Sequence, residues 1–207
     1  FKTIGVILIC YLAIRTIKYE VLIENEFAVR YIRYLYYVFP ITLIHLVFLT
    51  SLLVGKSERE DISKYWNLLW IPTFIILAFI LTNHLHGLAF SLDENARGLN
   101  KYGPFFYIGL FYIVTLSTLT LVFTMIPSLI NKQITQIILP ISIIILWGLY
   151  TYFYMIDFKL FEYFKIIFKS AEFNILMVVL FIESLVFERL LPSNRGYESF
   201  LKISSLS

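Results

Sequence analysis

Six times between Thr3 and Leu191 the chain returns to a run of apolar residues long enough to cross a bilayer. The runs are Thr3 to Tyr19, Tyr31 to Val54, Trp66 to Phe90, Pro104 to Ile126, Ile134 to Ile156 and Phe173 to Leu191. A spanning helix needs about 20 mainly apolar residues, since each adds about 1.5 Å. Lipid offers no partner for backbone N–H and C=O groups, so only helices and closed barrels cross it. A barrel would alternate apolar and polar residues in shorter segments. These runs are instead apolar all round, as helices facing both lipid and neighbours must be. The expected fold is all-α: a polytopic integral membrane helix bundle with six spans in this chain.

Composition agrees. Of 207 residues, 59% are hydrophobic and 15% charged, against about 25% charged in soluble domains. A net charge of +3 gives no argument for a nucleic-acid partner; the implied partner is the lipid bilayer. Cys10 is the single cysteine, so no disulfide framework exists. The sequence opens on Phe1, already in a hydrophobic segment, and stops at Ser207 in mid-pattern, as a piece of a longer protein would.

The connections are short and charged. Glu20 to Arg30 is acidic and then basic, Gly55 to Tyr65 is dense in charge, and Ser91 to Gly103 carries Asp93, Glu94, Arg97 and Lys101 with two glycines. Asn131 to Gln133 is a tight turn. In Asp157 to Glu172, Phe158, Phe161, Phe164 and Phe168 recur at helical spacing opposite most of the lysines, which predicts a helix lying in the membrane interface. Tyr31, Tyr34, Tyr36 and Tyr37, and then Tyr65, Trp66 and Trp70, mark the water–lipid boundary at the starts of two spans. Lysine and arginine are shared almost equally between alternate connections, so charge does not orient the chain.

Polar residues inside apolar runs are expensive and point to partners or function. Asn83, His84 and His86 fall in the second half of the third run. His84 and His86 are two residues apart, about 200° around a helix, so they cannot share one metal ion. No His-Glu-x-x-His motif or cysteine cluster accompanies them or His45, and no metal or other cofactor is expected. A cavity-facing Asn83 and one histidine would instead form a ligand or signal site. His86, three residues from Asn83, is the better placed of the two. A histidine there would also suit pH sensing, its reference pKa being about 6.5. Glu183 is the one acidic residue well inside a span and is expected to face the bundle, be protonated or find a cation. Thr115, Ser117, Thr118, Thr120 and Thr124 stud the fourth run, where small hydroxyl residues let helices approach and bond across. No activating base or oxyanion site accompanies any hydroxyl, so no catalytic residue is expected and the chain is not read as an enzyme.

Four stretches resemble the seven-helix membrane sensor region at the N-terminus of some bacterial histidine kinases. They are Arg30-Tyr31-Ile32-Arg33-Tyr34-Leu35-Tyr36-Tyr37 ahead of Pro40; Pro72 through Phe90; Tyr102-Gly103; and Leu191-Pro192-Ser193-Asn194-Arg195-Gly196-Tyr197-Glu198. The second is similar to the family's Thr-Asn-Asp-Leu-His, with His84 replacing the aspartate. The resemblance implies an outside N-terminus, a seventh helix ahead of Phe1, and a cytoplasmic C-terminus. Asn83, His84 and His86 would then lie in the outward half of their helix, and Glu183 near the middle of the last. It implies a transmembrane sensor domain over 1–191 and the start of a cytoplasmic linker over 192–207. An unknown small ligand or bilayer signal would act on an absent kinase output domain, and a homodimer is compatible with it. The expected location is the bacterial inner membrane. The rival expectation is a small transporter or channel, which would carry more intramembrane charge or broken helices. An intramembrane enzyme ranks third.

Overall fold

The computed structural model describes residues 2–20, 26–56, 62–92, 99–130, 134–155 and 170–191. The long helices are α1 (Lys2–Glu20), α2 (Glu26–Ser51), α3 (Trp70–Leu81), α5 (Pro104–Ile130), α6 (Ile134–Met155) and α7 (Ser170–Phe187). A 3-10 turn, Lys64–Leu69, leads into α3, and a single turn, α4 (Asn83–His86), follows it. Strands β1 (Phe90–Leu92) and β2 (Leu99–Tyr102) pair antiparallel between α4 and α5. Among the described residues, four helical stretches are long and apolar enough to cross a membrane: Phe27–Ser51, Lys64–Leu81, Pro104–Ile130 and Ile134–Phe153. The chain is therefore an all-α membrane-type bundle with one small β-ribbon.

Neighbouring helices run up and down. Phe48 meets Trp66, His45 meets Trp70, and Tyr31 meets His84, so the α3 segment runs antiparallel to α2. Phe79 stacks on Phe105 at 3.7 Å while Trp66 meets Phe123, which sets α5 antiparallel to α3. Tyr150 stacks on Phe173 at 3.7 Å, and Trp147 Nε1–H donates to Asn174 Oδ1 at 2.8 Å, pinning the end of α6 to the start of α7. The α2 helix is the hub, packing against α1, α3, α5 and α7. Its Leu43, Ile44, Val47 and Phe48 are buried in the main core with Phe181 and Leu185 of α7. Large apolar side chains such as Phe111, Ile138 and Phe187 stay exposed, the exterior expected where lipid is the solvent.

Two contacts tie distant parts of the chain at opposite ends of the bundle. Arg15 pairs with Glu172, joining the end of α1 to the start of α7. The Gly55 N–H donates to the Leu190 carbonyl at 3.0 Å, joining the exit of α2 to the exit of α7.

Three sequence expectations change. The third run does not stay helical to Phe90. Thr82 breaks α3, Gly87 adopts a left-handed φ of 63° beyond α4, and Phe90 enters β1. The connection after it is, on both flanks, paired strand: Phe90–Leu92 and Leu99–Tyr102 form an antiparallel ribbon that the apolar runs do not announce. At its base Gly103 crosses so close to Leu88 that a Cβ would sit 2.1 Å from the Leu88 carbonyl oxygen. The hydroxyls of α5 bond within their own helix rather than across. Thr115, Ser117, Thr118, Thr120 and Thr124 each donate to the carbonyl four residues back. Thr120, Thr124 and Ser128 form a buried stripe, whereas Thr115 and Thr118 face outward. The interfacial helix expected over Asp157 to Glu172 lies almost wholly outside the described residues, as do the Asn131–Gln133 turn and the 192–207 linker.

Candidate functional site

The turn from α3 to β1 is built around Asn83. Its side chain is buried at 3% exposure, and all three of its strong contacts go to backbone. Oδ1 accepts from the Ala89 N–H at 2.8 Å and the Phe90 N–H at 3.3 Å, and Nδ2 donates to the Phe90 carbonyl at 2.7 Å. An amide is the side chain for this task, since it offers donors and an acceptor at once. Aspartate could not donate to the Phe90 carbonyl. The result is a clamp that folds the chain back on itself at the end of α3.

The histidines flank the clamp on different sides, as their spacing requires. His86 is half-buried against Phe79, with ring centroids 5.3 Å apart. Its Nδ1 accepts from the Leu88 N–H at 2.9 Å, which leaves the ring proton on Nε2, 3.4 Å from Thr82 Oγ1. That oxygen in turn donates to the Ala78 carbonyl at 2.7 Å. His86 thus caps its own turn. His84 is exposed, with Nδ1 3.4 Å from the Tyr31 hydroxyl, a long contact. Glu183 does not join them. It is exposed on the outer face of α7, five residues from the helix's last residue when both ends are counted, not mid-span. Met177, Val178, Phe181 and Leu185 form the buried stripe of α7, and helical spacing turns position 183 to the opposite side.

Beside the clamp lies an apolar cleft of about 80 Å³. Tyr37, Pro40 and Ile41 of α2, Ile80 of α3, Ala89 and Phe90 of the clamped loop, and Gly109 and Ile113 of α5 line it. Neither histidine belongs to its wall. Asn83 therefore shapes the cleft, by holding Ala89 and Phe90, without contributing a polar atom to it.

A second polar centre sits deeper, where α2, α3 and α5 meet. His45 and Thr73 have no exposed surface. Thr73 Oγ1 is 2.7 Å from His45 Nδ1 and 2.6 Å from the Tyr112 hydroxyl. Both hydroxyls also reach the Leu69 carbonyl, at 2.8 and 3.1 Å. The imidazole lies over Trp70, centroids 4.1 Å apart. Whichever of Nδ1 and Thr73 supplies the proton they share, His45 Nε2 is buried with no partner among the described residues. A hydroxyl against an imidazole is the geometry of an activated nucleophile, but here both groups are sealed from any substrate. Sequence reasoning named His45 and passed over Thr73 and Tyr112. The only signal available was a polar group in each of three apolar runs, and spacing along a chain cannot join residues on three helices.

Among the described residues no three His, Cys, Asp or Glu side chains stand together as metal ligands would. No protein family, curated protein or solved structure matches the chain.

Proposed function

We propose that the chain is the membrane-embedded sensing module of a longer signalling protein, crossing the bacterial inner membrane six times and acting on a cytoplasmic output domain beyond Ser207. The observation that carries this reading is the Asn83 clamp over an apolar cleft shared by α2, α3 and α5. It is built on Thr82-Asn83-His84-Leu85-His86, within one of the two more specific stretches of the resemblance to the histidine-kinase sensor region. A site formed by three separate helices is sensitive to their relative placement, and a ligand shifts such an equilibrium by its differential affinity for the two packings.

Six crossings find support in the contacts at the bundle's two ends. The Arg15–Glu172 pair joins the end of α1 to the start of α7, and the Gly55–Leu190 bond joins the exits of α2 and α7. Both fit an up-and-down chain in which α1 and α7 are the outer spans. On this reading Asn83 and the cleft lie towards the outside, and Gly55 and Leu190 towards the cytoplasm.

The test is the reading frame downstream of the Ser207 codon. The expected result is a histidine-kinase dimerisation and ATP-binding region, or another signalling domain, joined in frame. A stop codon within a few residues would overturn the sensor reading.

A further inference from the structure

We propose that the cleft and the first turns of α2 together bind one anionic phospholipid of the surrounding bilayer, phosphate on Arg30 and Arg33, acyl chain in the cleft. This rests on the membrane-embedded placement proposed above, but not on the nature of any output domain.

Three observations carry it. First, Arg30 and Arg33 are half-buried in the opening turns of an apolar helix, and neither makes an ion pair among the described residues. Arg15, by contrast, is matched by Glu172. An arginine at the edge of hydrocarbon calls for a counter-charge, and its planar fork suits a phosphate's oxygens.

Second, the spacing puts these arginines on the cleft's own stripe. Arg30, Arg33, Tyr37 and Ile41 follow one another at i, i+3, i+7 and i+11, a single face of α2. Arg33 lies one turn from Tyr37, roughly 6 Å along the axis at 1.5 Å per residue. Tyr37 and Ile41 are cleft wall.

Third, the cleft suits a chain segment rather than a compact ligand. Its volume of about 80 Å³ is lined by aliphatic and aromatic side chains, with no charged group in the wall. It is small beside the ~150 Å³ cavity that accepts benzene. It would seat a few methylenes of a longer chain, and the bilayer supplies such chains without a route through water. Charge above and hydrocarbon below, on one helix stripe, is the pattern of a phospholipid.

The experiment uses the purified chain in phosphatidylcholine nanodiscs doped with phosphatidylglycerol, with bound lipids counted by native mass spectrometry. One saturable phosphatidylglycerol per chain is expected, favoured at least tenfold over phosphatidylcholine. The double substitution Arg30→Gln/Arg33→Gln should abolish that preference. Gly109→Leu, which adds bulk at the cleft wall, should weaken long-chain phosphatidylglycerol at least tenfold while sparing the dihexanoyl analogue. Leu110→Trp serves the same purpose should Gly109→Leu fail to fold. Equal retention of both lipids by the parent chain, or selectivity that survives the double arginine substitution, overturns the proposal. So does oleate displacing phosphatidylglycerol at equal concentration, which would make a free fatty acid the occupant. Because the readout is lipid bound to this chain, a negative result leaves the reading-frame test of the sensor module standing, and the converse also holds.

Discussion

Replacing Asn83 by alanine removes the clamp and leaves the rest of the bundle's packing in place. The side chain makes two short bonds, 2.8 Å to the Ala89 N–H and 2.7 Å to the Phe90 carbonyl, and one longer bond of 3.3 Å to the Phe90 N–H. Ala89 and Phe90 are buried at 0% and 2% exposure, so alanine leaves polar backbone without partners and with little access to water. Each orphaned buried group costs about 1–3 kcal/mol, whereas side-chain bonds between membrane helices average nearer 0.6 kcal/mol. Counting the two short bonds at the lower end of the first range gives about 2–3 kcal/mol for opening the turn. At 1.4 kcal/mol per tenfold, that is about 30- to 140-fold faster exchange of the Ala89 and Phe90 amides. Hydrogen–deuterium exchange in nanodiscs reads this directly, with α5 amides between Leu116 and Thr124 as the internal control. Acceleration confined to the 88–92 segment is the expected outcome. Unchanged exchange there, with the control also unchanged, would refute the claim that Asn83 holds the turn. Asn83→Asp should be at least as damaging, since it keeps the acceptor but sets an oxygen against the Phe90 carbonyl.

Gly103→Ala should disrupt the base of the β1–β2 ribbon, because its Cβ would lie 2.1 Å from the Leu88 carbonyl oxygen; exchange at Ala89 and Gly103 should rise, while Gly148→Ala, with open space around it, should change nothing. Tyr112→Phe removes one hydroxyl of the His45 knot but leaves the Thr73–His45 bond, so a loss of about 1 kcal/mol is expected in a denaturation series; Thr73→Val, which strips both Nδ1 and the tyrosine of their shared partner, should cost more, and equal losses would contradict the geometry. Cysteines at Ser57 and Ser199 in a Cys10-free background should both resist an impermeant thiol reagent in intact cells, and labelling of only one would sink the six-crossing arrangement.

The class of fold was legible because hydrophobic run length is a direct physical requirement of the bilayer. What was not legible is where an apolar run stops being helix. Leu85, Leu88, Ala89 and Phe90 are as apolar as the helix before them, so hydropathy carries the third run through to Phe90. The chain turns there because the Asn83 amide bonds backbone ahead of it and Gly87 adopts a positive φ, neither of which is a hydropathy signal. The polar character of Asn83 marked the place, but not that its partners would be backbone rather than a cavity. Glu183 stands nearer the helix end than the sequence expects, because α7 ends at Phe187, four residues before the last apolar run does. The knot of His45, Thr73 and Tyr112 escaped for a different reason. Its members are 28 and 39 residues apart, and only the packing of three helices makes them neighbours.

The apolar cleft and the His45 knot lie on the same three helices, and this bears on how a change at one end could reach the other. Ile41 of the cleft wall is one turn from His45, and Ile113 of that wall is adjacent to Tyr112. Widening the cleft by moving α5 away from α2 would therefore stretch the His45–Thr73–Tyr112 contacts, the short ones being 2.6 and 2.7 Å. Hydrogen bonds fade steeply with distance and angle, so the knot resists small displacements and yields to larger ones. A buried Nε2 with no partner among the described residues makes the closed arrangement less stable than a fully paired one, lowering the cost of leaving it. Beyond the knot, α2 ends at Ser51 and a turn leads to Gly55, whose N–H holds the Leu190 carbonyl at the exit of α7. A displacement of α2 thus has a physical outlet: it must either break that bond or carry the end of α7 with it. Because α2 also packs against α1, α3 and α5, it cannot move without all of them repacking. Close-packed interfaces switch between discrete arrangements rather than deform smoothly. That is the behaviour a helix bundle needs to turn occupancy at one end into a defined change at the other.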